Sequence, residues 1–116
     1  MFKYKPCLQS VVFFLFVSIC AKPDISFAEN GVVTIYIKDH HFFPNQISIP
    51  SGQKIKLVID NQDLTPEEFE SYDLNREKVV SGKSRIIVFI GPLKKGQYKF
   101  FGEFHQQTAQ GIITVE

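Results

Sequence analysis

Residues 98–116, YKFFGEFHQQTAQGIITVE, form the stretch of sequence that decides the fold. An apolar segment ends at Gly102, a polar loop with one histidine, His105, follows, and a second apolar segment begins after Gly111. Two apolar segments joined by a short polar loop are typical of neighbouring β-strands. This stretch is therefore predicted to form two strands with a histidine-bearing loop between them.

The same two-residue periodicity runs through the rest of the chain. Val33, Ile35 and Ile37 alternate with Thr34 and Tyr36, as in a strand with one buried face. Comparable segments, separated by turn signals rich in proline and glycine, are residues 47–49, 55–59, 85–90, 98–101 and 112–115. Short strands at this spacing predict an all-β fold, a Greek-key antiparallel β-sandwich.

Residues 1–28 resemble a secretory signal peptide. Lys3 and Lys5 precede an apolar run at 7–20, and Ser26-Phe27-Ala28 supplies the small-x-small cleavage pattern. The apolar run is shorter than the about 20 residues that a membrane-spanning helix needs. We expect cleavage after Ala28, export to the periplasm and a single mature domain over residues 29–116.

The two cysteines, Cys7 and Cys20, both lie in this leader. The alternative to cleavage after Ala28 is a lipoprotein anchored at Cys20. Lipoprotein signals have a small residue directly before the anchoring cysteine, and Ile19 at that position argues against this alternative. The mature domain has no thiol, whereas small exported domains commonly depend on disulfides. Core packing has to stabilise it, and the 12 phenylalanines of the chain offer large apolar area.

Residues 60–84 interrupt the alternating pattern. Seven acidic residues stand between Asp60 and Glu77, and Arg76 alone opposes them. A charge run of this kind is ordinarily a solvated loop. A 25-residue connection is nevertheless long for a small domain, and long loops in compact domains are often functional. We therefore predict one long acidic loop, with a functional role as the alternative to simple solvation.

Part of this segment also has the pattern of a helix start. Thr65, Pro66 and Glu68 match an N-cap threonine, a proline at the first helical position and the glutamate of a capping box. In that interpretation Glu68 is structural and the segment contains one or two helical turns. Glu67 and Glu70 remain available under either interpretation.

Two further motifs accompany the C-terminal one: FFPNQISIPSG at residues 42–52 and NQDLTPEEFES at residues 61–71. Together the three resemble the opening strands, the first-histidine region and the copper loop of cupredoxins. The combination of PEEFES, REK, GPL, GEFH and TAQG resembles more narrowly the EfeO-type cupredoxin-like domains, small exported proteins of bacterial iron-uptake systems. The resemblance covers essentially the whole mature chain.

The resemblance implies a metal site with altered ligands. Gly102 stands at the position of the cupredoxin cysteine, Ala109 at that of the methionine, and Glu67 or Glu68 at that of the first histidine, while His105 is retained. The implied ligands are Glu67, Glu68, Glu70, Glu103 and His105, with His40 as a second-tier candidate. Carboxylates with imidazole suit Fe(III), Cu(II), manganese or zinc and do not suit Cu(I), and Fe(III) or Cu(II) is the expected ion.

Each of these residues also has a structural interpretation. His105 is equally able to serve as a hydrogen-bonded structural histidine, and His40 as a polar strand end. Glu103 shares a face with His105 if the strand continues, but the alternative is a rim carboxylate paired with Lys99. Gly102 alternatively marks a strand-ending bulge.

The resemblance implies an exported metal-binding accessory protein that passes a cation to a membrane iron permease or an associated periplasmic protein. The alternative is a metal-free module that docks a basic partner through the acidic segment. An enzyme is not expected, because the chain has no Ser/His/Asp arrangement, no mature cysteine nucleophile and no phosphate-binding glycine loop. Nucleic-acid binding is disfavoured because phosphate would repel the acidic segment.

Overall fold

The computed structural model describes residues 25–116, so residues 1–24 of the expected leader lie outside the described residues. Ten strands and one short 3-10 helix, Glu103–His105, make up this part of the chain. The strands are β1 (Ile25–Phe27), β2 (Val32–Lys38), β3 (His41–Phe43), β4 (Gln46–Ile49), β5 (Ile55–Asn61), β6 (Glu67–Ser71), β7 (Arg76–Val80), β8 (Arg85–Ile90), β9 (Gly96–Gly102) and β10 (Gln110–Val115).

The strands form two sheets that enclose the core, which confirms the predicted all-β, Greek-key sandwich. One sheet has the order β1-β4-β10-β9-β6-β7 and the other β3-β2-β5-β8. Three strand pairs, β1–β4, β4–β10 and β2–β5, are parallel, so the sheets are mixed rather than purely antiparallel. Between residues 25 and 116 no helix is long and apolar enough to cross a membrane.

The alternating segments bury the face that the sequence predicts. The central strands β2 and β5 pair in parallel and turn one row of aliphatic side chains inward. These inward side chains are at most 3% exposed: Val33, Ile35, Ile37, Ile55, Leu57 and Ile59. Fully burying a side chain of this size stabilises the fold by about 1.5–3 kcal/mol, so these two strands contribute much of the core.

Three phenylalanines pack together where the sheets meet. The ring centroids of Phe42 and Phe100 are 5.2 Å apart, those of Phe69 and Phe100 are 5.4 Å apart, and all three side chains are at most 2% exposed. Gly111 makes room for this cluster, because a Cβ there would lie 2.1 Å from Phe100 Cζ. The cluster joins β3, β6 and β9 in one core.

The acidic segment differs from its prediction: it is a β-hairpin, neither a long loop nor a short helix. β6 pairs with β7, and Phe69 and Glu70 of β6 also pair with Gly102 and Phe101 of β9. The capping-box interpretation of Glu68 is therefore wrong. Strand pairing prevails over the helix-start pattern because it buries Phe69 completely, whereas a helix-start motif has a stabilising effect of only about 1 kcal/mol.

Basic side chains of β7 connect this hairpin to the other sheet. Arg76 Nε donates a hydrogen bond to the carbonyl oxygen of Phe89 at 3.0 Å, and Lys78 Nζ donates one to that of Ile87 at 3.3 Å. Both carbonyls belong to β8, the edge strand of the four-stranded sheet. These contacts cover part of an edge that would otherwise be free to pair with another chain.

The strand β1 lies inside the expected leader. It pairs in parallel with β4, and the amide of Ala28 donates a hydrogen bond to the carbonyl oxygen of Ser48 at 3.2 Å. Cleavage after Ala28 stays a prediction. A mature chain cut there would lack β1 and would expose the edge of β4, a short strand that Pro44 and Pro50 limit on either side.

Candidate metal centre

Glu67 begins β6 and points into the sandwich, where its side chain is 2% exposed. Its Oε1 accepts hydrogen bonds from the amides of Glu68 at 2.9 Å and Phe104 at 2.8 Å. Its Oε2 lies 2.7 Å from Nδ1 of His105. A buried carboxylate is costly unless it is paired and hydrogen-bonded, and both of its oxygens have partners here.

Gly102 makes the space that the Glu67 carboxylate occupies. A Cβ at position 102 would lie 2.6 Å from Glu67 Cδ and 2.7 Å from Ala109 Cβ, much closer than normal packing allows. Gly102 is the position that the resemblance aligns with the cupredoxin cysteine. The carboxylate of Glu67 therefore fills the volume in which a side chain at position 102 would begin.

His105 ends the 3-10 helix and turns its ring toward Glu67. Its carbonyl oxygen accepts hydrogen bonds from the amides of Thr108 and Ala109, which close the loop before β10. Because carboxylate oxygens accept, the hydrogen bond to Glu67 places a proton on Nδ1, and in the neutral imidazole the lone pair is then on Nε2. Nothing among residues 25–116 forms a hydrogen bond with Nε2, and the side chain is 29% exposed.

The ring of His40 lies directly on that of His105. The two centroids are 3.6 Å apart and the ring planes differ by 11°. His40 Nδ1 faces Asp63 Oδ2 at 3.5 Å, and its side chain is 41% exposed. The fold therefore brings together three of the six candidate residues, Glu67, His105 and His40. Asp63 joins them as a fourth residue.

Each imidazole has a carboxylate on the side of Nδ1. This arrangement is common for metal-binding histidines, because the carboxylate fixes the tautomer and orients the ring. A lone pair on Nε2 lies in the plane of its ring, so stacked rings direct their lone pairs side by side rather than toward one point. Binding of one cation by both histidines requires the rings to splay from the stacked position.

The other three candidate residues lie on the opposite face of the sheet. Glu68 and Glu70 alternate with Glu67 along β6 and point outward, beside Glu77 of β7 and Glu103 of the 3-10 helix. One carboxylate oxygen from each of Glu68, Glu70 and Glu77 lies within 4.8 Å of the others, close enough to share a cation. The six predicted ligands thus form two clusters, separated by the sheet, and not a single centre.

Strand geometry accounts for this division. Adjacent residues of a strand point to opposite faces, so Glu67 and Glu68 never serve one site. The expectation that Glu103 shares a face with His105 fails because the chain turns into a 3-10 helix at Glu103. Glu103 accepts a hydrogen bond from Gln106 Nε2 at 3.1 Å, and its predicted pairing with Lys99 is absent from the described ion pairs.

The outer cluster, which we call the outer carboxylates (Glu68, Glu70, Glu77 and Glu103), combines partial burial with mutual repulsion. Partial burial, a hydrogen bond with Glu77 and the charges of Glu77, Glu70 and Glu103 raise the pKa of Glu68 from 4.5 to about 7. Partial burial, a hydrogen bond with Glu103 and the charge of Glu103 raise the pKa of Glu70 as well. Part of this cluster therefore binds protons near neutral pH.

Sequence reasoning missed Asp63 and Thr108, which hold the turn that carries His40. Burial by itself would raise the pKa of Asp63, but hydrogen bonds from the amides of His40 and Asp39 and the charges of His40 and His105 together lower it. Thr108 Oγ1 donates a hydrogen bond to the carbonyl oxygen of His40 at 2.5 Å. No alternation or motif marks these contacts, since they join segments 23 and 68 residues apart.

A two-sheet sandwich with a histidine-bearing loop before its last strand defines a cupredoxin-like domain. The family described as the cupredoxin-like domain matches residues 8–115, and this chain belongs to it. An uncharacterised protein of Rickettsia prowazekii (strain Madrid E) is 45% identical over 109 residues, which cover 94% of this chain and 87% of that protein.

Solved structures of cupredoxin folds are similar to this chain. The metal-binding domain of a Cu(I)-exporting P-type ATPase from Streptococcus pneumoniae D39, solved with Cu(I), has a TM-score of 0.68 at 16% identity, covering 82% of this chain and 98% of that one. Auracyanin A, a blue copper protein of Chloroflexus aurantiacus, has a TM-score of 0.64 at 12% identity, covering 73% and 98%. A purple cupredoxin of Nitrosopumilus maritimus has a TM-score of 0.56 at 21% identity, covering 72% and 99%.

The shared volume of Glu67 and Gly102 predicts that substitutions at the two positions are coupled. Gly102→Ala should lower the free energy of unfolding by about 1–3 kcal/mol, because the added methyl group overlaps Glu67 and Ala109. Combined with Glu67→Ala, the total loss should be smaller than the sum of the two losses by about 0.5–3 kcal/mol. Denaturant unfolding of the four proteins measures this coupling. Glu68→Ala is the matched control, and its loss of unfolding free energy should add to that of Gly102→Ala in the double variant. If the losses from Glu67→Ala and Gly102→Ala also simply add, the two positions do not share a volume.

The raised pKa of Glu68 predicts a pH dependence of stability. Between its ordinary value of 4.5 and about 7 the folded state binds more protons than the unfolded state, so the free energy of unfolding should fall as pH rises through this window. Glu68→Gln, which mimics the protonated form, should reduce the fall in melting temperature between about pH 5 and about pH 8. Glu116→Gln, outside the cluster, should leave the wild-type fall unchanged. An identical fall in Glu68→Gln would rule out this role of the outer carboxylates.

Proposed function

We propose that this protein is an exported metal carrier of the EfeO-type group, which holds a cation at the pole formed by His105 and His40. It passes that cation to a membrane permease of an iron or copper uptake system, or to a periplasmic protein associated with the permease. The observation that supports this proposal is the hydrogen bond between buried Glu67 and His105 Nδ1, on a partly exposed ring whose Nε2 has no hydrogen-bond partner among residues 25–116.

The available donors select among cations. Both imidazoles offer nitrogen, the carboxylates behind them orient the rings, and neither thiolate nor thioether stands at the cupredoxin ligand positions. Imidazole suits Cu(II), whereas Cu(I) prefers soft sulfur donors. Cu(II) is therefore the first candidate and Fe(III) the second. The chain lacks the cysteine and methionine of a blue-copper centre, so we assign it carriage of the ion rather than electron transfer.

The exposure of the two rings supports a transfer role. The side chains of His40 and His105 are 41% and 29% exposed, so donors from another protein can reach a cation held there. Two protein nitrogens also leave coordination positions for water or for such donors. Leu64 and Phe104, next in sequence to Asp63 and His105, are exposed apolar side chains at 83% and 49% and offer contact area to a partner.

Metal titration tests this function. The wild-type protein, expressed without residues 1–28, should bind Cu(II) with a Kd below about 100 μM, equivalent to about −5.5 kcal/mol. His105→Ala should abolish that binding, and Glu67→Gln should weaken it about 10–100-fold, because the ring loses its orienting carboxylate. Isothermal titration with Cu(II), then Fe(III)-citrate, measures both effects.

His41 provides the control for these variants. Its Nδ1 donates a hydrogen bond to the carbonyl oxygen of Asp39 at 2.7 Å, and its ring lies outside the stacked pair of His40 and His105. His41→Ala should therefore keep the wild-type affinity. Binding that is lost equally in His41→Ala and His105→Ala, or a wild-type protein that binds neither ion, would reject the carrier function.

The outer carboxylates favour a second candidate function, a metal-free module that docks a basic surface. Four acidic side chains gathered on one face form a negative patch able to recognise lysine and arginine side chains of a partner. Replacing Glu68, Glu70 and Glu77 together by lysine should then abolish co-purification of a partner, while His105→Ala leaves it intact. The carrier function predicts instead that added Cu(II) raises the melting temperature, by mass action on the folded state.

A further inference from the structure

The turn between β2 and β3 places His40, and its backbone is unusual. Asp39 and His40 have φ values of 51° and 61°, in the left-handed region that non-glycine residues rarely occupy. Two consecutive left-handed residues form the hairpin turn that prefers Asn-Gly or Asp-Gly, so Asp39 suits its first position and His40 stands where glycine is usual. The conformation therefore needs stabilising contacts from elsewhere in the fold.

Asp63, in the segment between β5 and β6, supplies these contacts. Its Oδ1 accepts a hydrogen bond from the amide of Asp39 at 2.8 Å, and its Oδ2 accepts one from the amide of His40 at 3.0 Å. The same Oδ2 faces His40 Nδ1 at 3.5 Å. One carboxylate thus contacts both the strained backbone and the imidazole that the backbone carries.

Asp63 is itself held in place by the core. Its amide donates a hydrogen bond to Asn61 Oδ1 at 3.0 Å, and its carbonyl oxygen accepts one from the amide of Lys83 at 2.9 Å. Asn61 is 1% exposed, and its Nδ2 donates to the carbonyl oxygen of Thr65 at 2.9 Å. Contacts on both sides fix the carboxylate, so it acts as a rigid support.

Thr108 completes the connection between the two histidines. Its Oγ1 lies 2.5 Å from the carbonyl oxygen of His40 and 3.4 Å from that of His105. His40 is therefore held from the β5–β6 segment on one side and from the His105 loop on the other. The stacking of the two rings follows from these two supports.

We propose that Asp63 is a positioning residue: it holds the β2–β3 turn so that the ring of His40 lies on that of His105, and a splay of the two rings is then enough to make His40 a second ligand. This inference rests on the proposed function, because it assigns Asp63 to the same site. Asp63 does not bind the cation itself, and it acts through His40.

Three variants of the protein lacking residues 1–28 test the proposal. Asp63→Ala removes every contact of the carboxylate, and Asp63→Asn keeps one acceptor oxygen and loses the charge. Asp60→Asn is the matched control, because the Asp60 carboxylate pairs with Arg85 at a distance of 2.9 Å and not with the turn. Two readouts apply to each: proton NMR contacts between the two imidazole rings in metal-free protein, and Cu(II) affinity by isothermal titration.

Both Asp63 variants should lose the ring contacts and weaken Cu(II) binding about tenfold or more, whereas Asp60→Asn keeps both.

The double variant Asp39→Gly/Asp63→Ala separates positioning from stability. Glycine adopts the left-handed turn without strain, so the melting temperature should recover while the ring contacts and the affinity do not. Retained ring contacts in Asp63→Ala, or full recovery of affinity in the double variant, would overturn the proposal. If the wild-type protein binds no Cu(II), the carrier function fails, and the NMR contacts still decide the role of Asp63.

Discussion

The hydrogen bond between Glu67 and His105 is the interaction on which the candidate site depends. It is possible only because Gly102 leaves room for the carboxylate where a side chain would otherwise begin. Removing one partner of a buried hydrogen bond typically costs about 1–3 kcal/mol, because the other partner is left unsatisfied. The same bond joins β6 to the loop before β10, so it orients the imidazole and connects the hairpin to the loop.

Strand alternation determines which acidic residues meet His105 and which do not. Inward positions of β6 carry Glu67, Phe69 and Ser71, so the strand contributes a carboxylate, a core aromatic ring and a hydroxyl in turn. Ser71 Oγ donates to the carbonyl oxygen of Lys99 at 2.6 Å. The outward positions gather like charges instead, and partial burial together with that proximity raises the pKa values of Glu68 and Glu70. One strand thus contributes to two chemically different surfaces.

The sequence predicts the sandwich well because its central strands place an aliphatic residue at every second position. The prediction of a long loop or short helix is wrong for the segment that forms β6 and β7. Two of the inward positions of β6 hold glutamate and serine, and its outward positions hold charged residues. Apolar periodicity is absent there, although Phe69 is fully buried. The positions of Glu67 and His105 follow from the family resemblance. The stacking of His40 and the role of Asp63 depend on long-range contacts and on a left-handed turn, which no local pattern encodes.

The tautomer of His105 is the most direct test of the central claim, that Glu67 fixes this ring with Nε2 free to bind a cation. Nitrogen-15 NMR of labelled, metal-free protein at mildly alkaline pH, where an ordinary imidazole is neutral, distinguishes the two ring nitrogens. The account predicts a proton on Nδ1 and a lone pair on Nε2, and it predicts that Glu67→Ala shifts His105 toward a mixture of tautomers. A proton on Nε2 in the wild-type protein would contradict it.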